Sequence, residues 1–153
     1  FSNGRPEVSI FWDEMGQKCK GKIDWLRDDN LLIVDYKTTT DANPSAFGRR
    51  IFSDGYDIQA AFYLRGLEQI TGKKAKFVFV VQEVEPPFAV STIELDKRSL
   101  NIAERKALYA VETWKKCCDD GAFPSYQHHS AEIPAYLEND WKYKEFLISE
   151  GEL

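Results

Sequence analysis

Residues Gly21 to Thr39, GKIDWLRDDNLLIVDYKTT, constrain the fold most. Ile23 to Leu26 reads as one short strand and Leu31 to Lys37 as a second, β-branched and apolar until it ends in Asp35-Tyr36-Lys37. Between them Arg27-Asp28-Asp29-Asn30 is turn chemistry, because Asp and Asn side chains bond their own backbone. A four-residue loop predicts Leu26 opposite Leu31 and Asp24 opposite Ile33. Strand side chains alternate, so Asp24, Ile33, Asp35 and Lys37 fall on one face. Asp24 and Asp35 become diagonal neighbours with Cβ atoms roughly 7–8 Å apart, able to converge on one point.

Such convergence is unfavourable alone. Two carboxylates about 5 Å apart repel by roughly 3 kcal/mol at an effective dielectric of about 20. A shared proton, a cation or the Lys37 ammonium has to offset this, and an oxygen-rich site with an open side suits Mg²⁺ or Mn²⁺. The alternative is a plain hairpin with solvated charges at its ends, since Asp-x-Lys at a strand end is common. The preceding Gly21-Lys22-Ile23-Asp24 and its spacing from Asp35 weigh against that alternative.

Asp24 followed by Asp35-Tyr36-Lys37 after an apolar strand resembles the core of the PD-(D/E)xK nucleases. Gln59 and Tyr63, four apart on a following helix, resemble the Gln-x-x-x-Tyr motif of the branch holding exonuclease VIII-like and lambda-exonuclease-like enzymes and the nuclease domains of recombinational helicase–nucleases. The likeness runs from Pro6-Glu7-Val8-Ser9 through Tyr63. It implies an α/β fold with a restriction-endonuclease-like core, a mixed sheet flanked by helices. It further implies a Mg²⁺- or Mn²⁺-dependent deoxyribonuclease, a double-strand exonuclease of recombination or phage type. DNA is the implied substrate, with a homo-oligomeric ring and a single-strand annealing recombinase as further implied partners. Asp24, Asp35 and the Tyr36 carbonyl are the implied metal ligands, and Asp24, Asp35 and Lys37 the catalytic set. Gln59, Tyr63 and Thr38 are implied substrate contacts. Glu7 lies where the family has a glutamate near the active site, or else simply opens an edge strand. An endonuclease of restriction or repair type, or a nuclease-derived module that binds DNA without cutting, are the other classes. In the chemistry expected, the metal polarises the scissile phosphate and lowers the pKa of a bound water. Lys37 orients or deprotonates that water and stabilises developing charge.

The remaining chain fits one domain, residues 1–153, of a length that supports a real core. It opens at Phe1 and not at Met, and the resembled enzymes carry further active-site residues on helices ahead of this core, so a longer parent protein with such helices is expected. Net charge is −5, against a generally basic nucleic-acid binder though not against a local basic groove. No apolar run is long enough to span a bilayer and no signal-peptide pattern is visible, so no membrane partner is expected. Cys19, Cys117 and Cys118 have no metal-site spacing and read as reduced thiols of a cytoplasmic protein.

Glu7 to Trp12 alternates as a strand, Asp13-Glu14-Met15-Gly16 turns the chain, and Gln17 to Lys22 leads into the central strand. Ser45 to Ile51 allows one or two helical turns, with Arg49-Arg50 either solvated or meeting a phosphate. Asp54 to Thr71 has helical periodicity through Ile58, Ala61, Phe62 and Leu64, and Gly72 stops it. Phe77 to Val81 is apolar on both faces, suiting a central buried strand, and Phe88 to Leu95 is the next strand. Asp96 caps a long helix to about Asp120, with Leu100, Ala103, Ala107, Ala110/Val111 and Trp114 as its apolar stripe. Lys97, Arg98, Arg105 and Lys106 are read as solvated or as lining a backbone groove. The tail holds His128-His129, which point opposite ways on an extended chain, and helical character from Leu137 to Ile148, a candidate subunit contact.

Overall fold

The computed structural model describes residues 2–128, 130–138 and 141–150. It divides into two compact units, residues 1–122 and 123–153. In the first, β1 (Gly4–Glu14), β2 (Gln17–Arg27), β3 (Leu32–Thr39), β4 (Lys76–Glu83) and β5 (Val90–Ile93) form one sheet in the order β1-β2-β3-β4-β5. β3 and β4 are parallel and every other neighbouring pair is antiparallel. The parallel pair is joined, as it must be, by a long crossover. That crossover holds α1 (Pro44–Ser53) and α2 (Tyr56–Thr71), and α3 (Lys97–Asp120) follows β5 and packs on α2. The sheet is therefore mixed with flanking helices, the α/β class expected.

The local signals explain the boundaries. Asn43 caps α1 by accepting from Ser45 N–H, with Pro44 in its first turn, and α1 is longer than the one or two turns expected. Asp96 caps α3 through Ser99 N–H, and Gly121 closes it with φ 62°. Gly55 enters α2 with φ 77°, so that helix starts two residues later than its periodicity suggests. The core joins Ile10, Trp12, Ile23, Leu26, Ile33, Phe77, Phe79 and Val81 of the sheet to Phe47, Ile51, Ala60 and Leu67 of the helices. Its helix side needs small residues. A methyl on Gly66 would stand 2.7 Å from the Trp12 indole, and one on Gly21 2.8 Å from the Tyr63 ring.

Several expectations are corrected. β1 is longer than Glu7 to Trp12, and Glu14 is no turn residue but a buried strand end at 6 % exposure. In the α3 stripe, Ala103, Ala107 and Val111 are buried while Trp114 is largely exposed. Lys106 is not simply solvated: its ammonium bonds the buried Asp57 at 2.7 Å. Arg50 bonds Asp54 and Thr39 Oγ1 and lies over the Phe47 ring. In the second unit α4 (Ala135–Glu138) and α5 (Trp141–Glu150) form, with Asn139 and Asp140 between them outside the described residues. His128 is exposed and His129 lies outside the described residues. No described helix is long and apolar enough to cross a membrane.

Candidate active site

The hairpin register differs from the expected one by two residues. Trp25 pairs with Val34 and Leu26 with Ile33, because the turn runs from Asp28 to Leu31 and so both begins and ends one residue later than supposed. An even shift of register by itself leaves alternation undisturbed, whereas a shift of one would reverse every side chain. Asp24 thus comes level with Asp35 instead of lying diagonal to it. The paired rungs stop there: Asp24 Oδ2 accepts the Tyr36 N–H at 2.8 Å. A side chain takes the place of a strand carbonyl, and β2 and β3 part beyond it.

The β1–β2 ladder is disturbed at the same level. Pro6 pairs with Trp25 and Val8 with Ile23, but Glu7 and Asp24 are not paired, and Glu7 has φ 56°. A bulky non-glycine residue at that φ is strained, and such strain collects where a structure is held for a purpose. Below the kink Ile23 faces the core and above it Leu26 does, although alternation would put them on opposite faces. The kink opens a cleft of about 490 Å³ lined by Pro6, Glu7, Asp24, Trp25, Val34 and Tyr36. Glu7 is therefore brought beside Asp24, with its carboxylate paired to Lys22. The Tyr36 hydroxyl donates to Gln82 on β4, and Thr38 is exposed on the same side of β3.

Asp35 and Lys37 occupy the core-facing side of β3. Asp35 is 2 % exposed. Its Oδ1 accepts from Gln59 Nε2 at 2.9 Å, and Lys37 Nζ stands 2.6 Å from its Oδ2. Oδ2 is buried, with the Lys37 ion pair and no further hydrogen bond. Burial pushes the Asp35 carboxyl above its ordinary pKa, Lys37 pulls the other way, and the neighbouring Asp24 charge adds to the rise. Of the three agents able to relieve the two carboxylates, the structure supplies Lys37.

Gln59 and Tyr63 share a face of α2 but end differently. Gln59 reaches Asp35. Tyr63 packs against Gly21 and the core, and lines with Gln59 a second groove of about 560 Å³ between β2, α2 and α3. Sequence reasoning missed Tyr56, whose ring centre is 4.8 Å from Lys37 Nζ. One aromatic among many carries no distinguishing signal in a sequence.

The donor set suits a small hard cation. Among the described residues no group of three His, Cys, Asp or Glu side chains gathers at one point. Mg²⁺ does not need one, since it is commonly held by one or two carboxylates and keeps several waters. Asp35 Oδ2 is buried, charged and short of hydrogen bonds, and its partner Lys37 marks a place where positive charge is stabilised. Asp24, joined to the Tyr36 main chain, is the carboxylate nearby that could add an oxygen to such a site.

Comparison with known proteins bears on this geometry. No curated protein sequence matches the chain. Among solved structures it is similar to a "Putative exonuclease" from Eubacterium rectale, with TM-score 0.66 and 18% identity over 89% of this chain. The match spans 56% of that protein's length, and at this identity it speaks to the fold alone. The protein SSO0001 is more distant, with TM-score 0.43 and 17% identity over 82% of this chain and 62% of its own, too low a score to add to the argument. A family profile described as a PDDEXK-like domain of unknown function (DUF3799) matches residues 1–135. With the mixed sheet and the Asp24, Asp35 and Lys37 arrangement, that match establishes that the chain belongs to this PDDEXK-like family, within the PD-(D/E)xK nuclease superfamily.

Proposed function

We propose that the chain is the nuclease domain of a Mg²⁺- or Mn²⁺-dependent enzyme that hydrolyses DNA phosphodiester bonds, acting as an exonuclease on duplex ends. The observation that carries this reading is the buried Asp35 Oδ2, without a hydrogen bond, beside Lys37 and level with Asp24. Buried carboxylate oxygens are mostly hydrogen-bonded, and this one additionally has a second carboxylate for a neighbour.

Asp24, Asp35 and the Tyr36 carbonyl would hold the divalent ion, which when bound supplies Lewis-acid activation of the phosphate and of water. The chain's own residues do the rest. Gln59 fixes Asp35 by its hydrogen bond to Oδ1, leaving Oδ2 turned to the site. Lys37, two residues on and on the same face, has its ammonium where it can orient a water and counter charge developing on the phosphate. Tyr63, Thr38 and Glu7 are proposed to contact the DNA strand. The exonuclease VIII-like branch, action as a ring, a recombinase partner and preceding helices in a longer single-domain parent belong to the same proposal. The match to a little over half of a larger solved protein is compatible with such a parent.

Incubation with linear and covalently closed circular DNA, each with Mg²⁺ and with EDTA, tests this. Loss of linear duplex only with Mg²⁺, circles remaining intact, is the expected result. Nicking of circles would replace the exonuclease with an endonuclease, and cleavage in EDTA would remove the metal.

A further inference from the structure

Lys37 has two partners, of which only one is an oxygen a divalent ion would compete for. Its ammonium lies 2.6 Å from Asp35 Oδ2 and over the face of the Tyr56 ring, 4.8 Å from its centre. Asp35 Oδ2 is also the oxygen that suits a divalent ion. A bound dication would compete for that oxygen and repel the ammonium, so Lys37 needs another hold if it is to stay in the site.

The Tyr56 ring supplies one. Its face attracts an ammonium through the ring quadrupole and offers a hard dication no lone pair. The ring is set in place by the core and not by Lys37. It is stacked near Phe47, with centroids 6.1 Å apart and planes at 17°, and tilted against Phe79 at 6.4 Å. Phe47 and Phe79 are both fully buried. Tyr56 also opens α2 directly after Gly55 in the left-handed conformation, so the turn that starts the helix brings the ring to Lys37. The Lys37 side chain is only 20% exposed, which strengthens a cation–π contact over one in water.

We propose that Tyr56 is a positioning residue for Lys37: when Asp35 Oδ2 is given over to a divalent cation, the ring face keeps the ammonium in the site. This rests on the metal-dependent reading above and adds to it a residue outside the motif.

The experiment is a double-mutant cycle between Tyr56 and Lys37, read as Mn²⁺ affinity by calorimetry and as DNA turnover. Tyr56→Leu removes the ring, Tyr56→Phe keeps it, and a polyfluorinated phenylalanine at position 56 keeps its shape while draining its face of electron density. Tyr56→Phe should bind Mn²⁺ as the parent does. Tyr56→Leu and the fluorinated ring should tighten Mn²⁺ binding by up to roughly thirty-fold, because an ammonium no longer held beside the dication leaves, and the ring can hold it only against a repulsion smaller than the cation–π contact itself. They should also lower kcat with KM for DNA unchanged. On a Lys37→Met background the same changes should leave Mn²⁺ affinity where it was. Should Tyr56→Leu fail to fold, the fluorinated ring decides. The proposal is overturned if the fluorinated protein binds Mn²⁺ like the parent, or if the change in affinity persists without Lys37. A parent that binds no Mn²⁺ sinks the nuclease reading and this inference with it. A parent that binds Mn²⁺ with purely additive substitutions sinks the inference alone.

Discussion

Glu14 and Asp35 are both buried carboxylates tied to α2 and faced by a cation, yet their lone pairs are used differently. Glu14 accepts from Arg65 Nε and Nη2 at 3.1 and 2.9 Å and from Gln69 Nε2 at 2.8 Å. Arg65 goes on to Glu104 of α3, and the Glu14 hydrogen bond holds its guanidinium above the ordinary range. A planar fork meets a planar acceptor and little is left over. Asp35 has one hydrogen bond from Gln59, a single ammonium at its other oxygen, and a second carboxylate nearby. The first arrangement ties β1 to two helices. The second leaves a charged oxygen for something else to complete. The difference teaches that burial alone does not distinguish carboxylates: Asp57, paired to Lys106, also keeps one buried oxygen without a hydrogen bond, and what sets Asp35 apart is the second carboxylate beside it.

The sharpest way to break this comparison is to remove each site's chemistry and measure cleavage. Lys37→Ala should lower turnover by at least about 100-fold, the low end for a positioned proton-transfer group, with folding intact. Asp24→Asn and Asp35→Asn should each abolish cleavage together with the rise in melting temperature that saturating Mn²⁺ gives the parent. Glu14→Gln should cleave within a few-fold of the parent. Near-parental turnover in Lys37→Ala would remove that residue from the mechanism.

Stability should reverse the order. Arg65→Met leaves Glu14 buried and charged without its fork, and should cost about 3 kcal/mol in urea unfolding, the range for breaking a buried pair. Asp35→Asn should instead raise the melting temperature in EDTA, since a poorly satisfied charge is removed. An equal loss in both variants would end the distinction.

A smaller effect lies in pH. The Asp35 carboxyl is raised by burial, so the folded protein keeps a proton that the unfolded chain has released. Its contribution to stability is fully present below the ordinary aspartate pKa and is lost as pH rises through the raised one. Metal-free protein should therefore lose on the order of a few degrees of melting temperature across that window, and Asp35→Asn should flatten the curve. A parental slope in the variant would assign the dependence elsewhere.

The smallest change is Gly21→Ala, whose methyl meets the Tyr63 ring at 2.8 Å. A cost of about 1 kcal/mol is expected, the low end for overpacking. If DNA affinity falls while Mn²⁺ affinity holds, the displaced Tyr63 serves the substrate and not the metal.

Local chemistry was readable from the chain. Asp96 and Gly121 bound α3, Phe77 to Val81 reads as a buried strand, and Asp35 with Lys37 stands out because a charged pair closes an apolar strand. Alternation put Asp35 and Lys37 on one face of β3; Asp24 was expected on that face too, but the kink between Ile23 and Leu26 breaks the alternation there, and Asp24 lines the cleft with Val34 and Tyr36. The partners were not readable. Glu14 passed for a turn residue because Arg65, Gln69 and Glu104 lie on helices far along the chain. Lys106 passed for a solvated cation because nothing near it in sequence points to Asp57.

The sequence by itself determined which residue types meet within the β2–β3 hairpin, since periods of two and short loops act over a few residues. Only the tertiary structure decided which carboxylate is satisfied and which is left open. That outcome depends on what α2 delivers to each strand: Arg65 and Gln69 to Glu14, but Gln59 and the Tyr56 ring to Asp35 and Lys37. Helix placement is set by packing over the whole core, against Gly66 and Trp12 at one point and Phe47 and Phe79 at another. Close packing couples all these residues at once, and no window of neighbouring letters contains them.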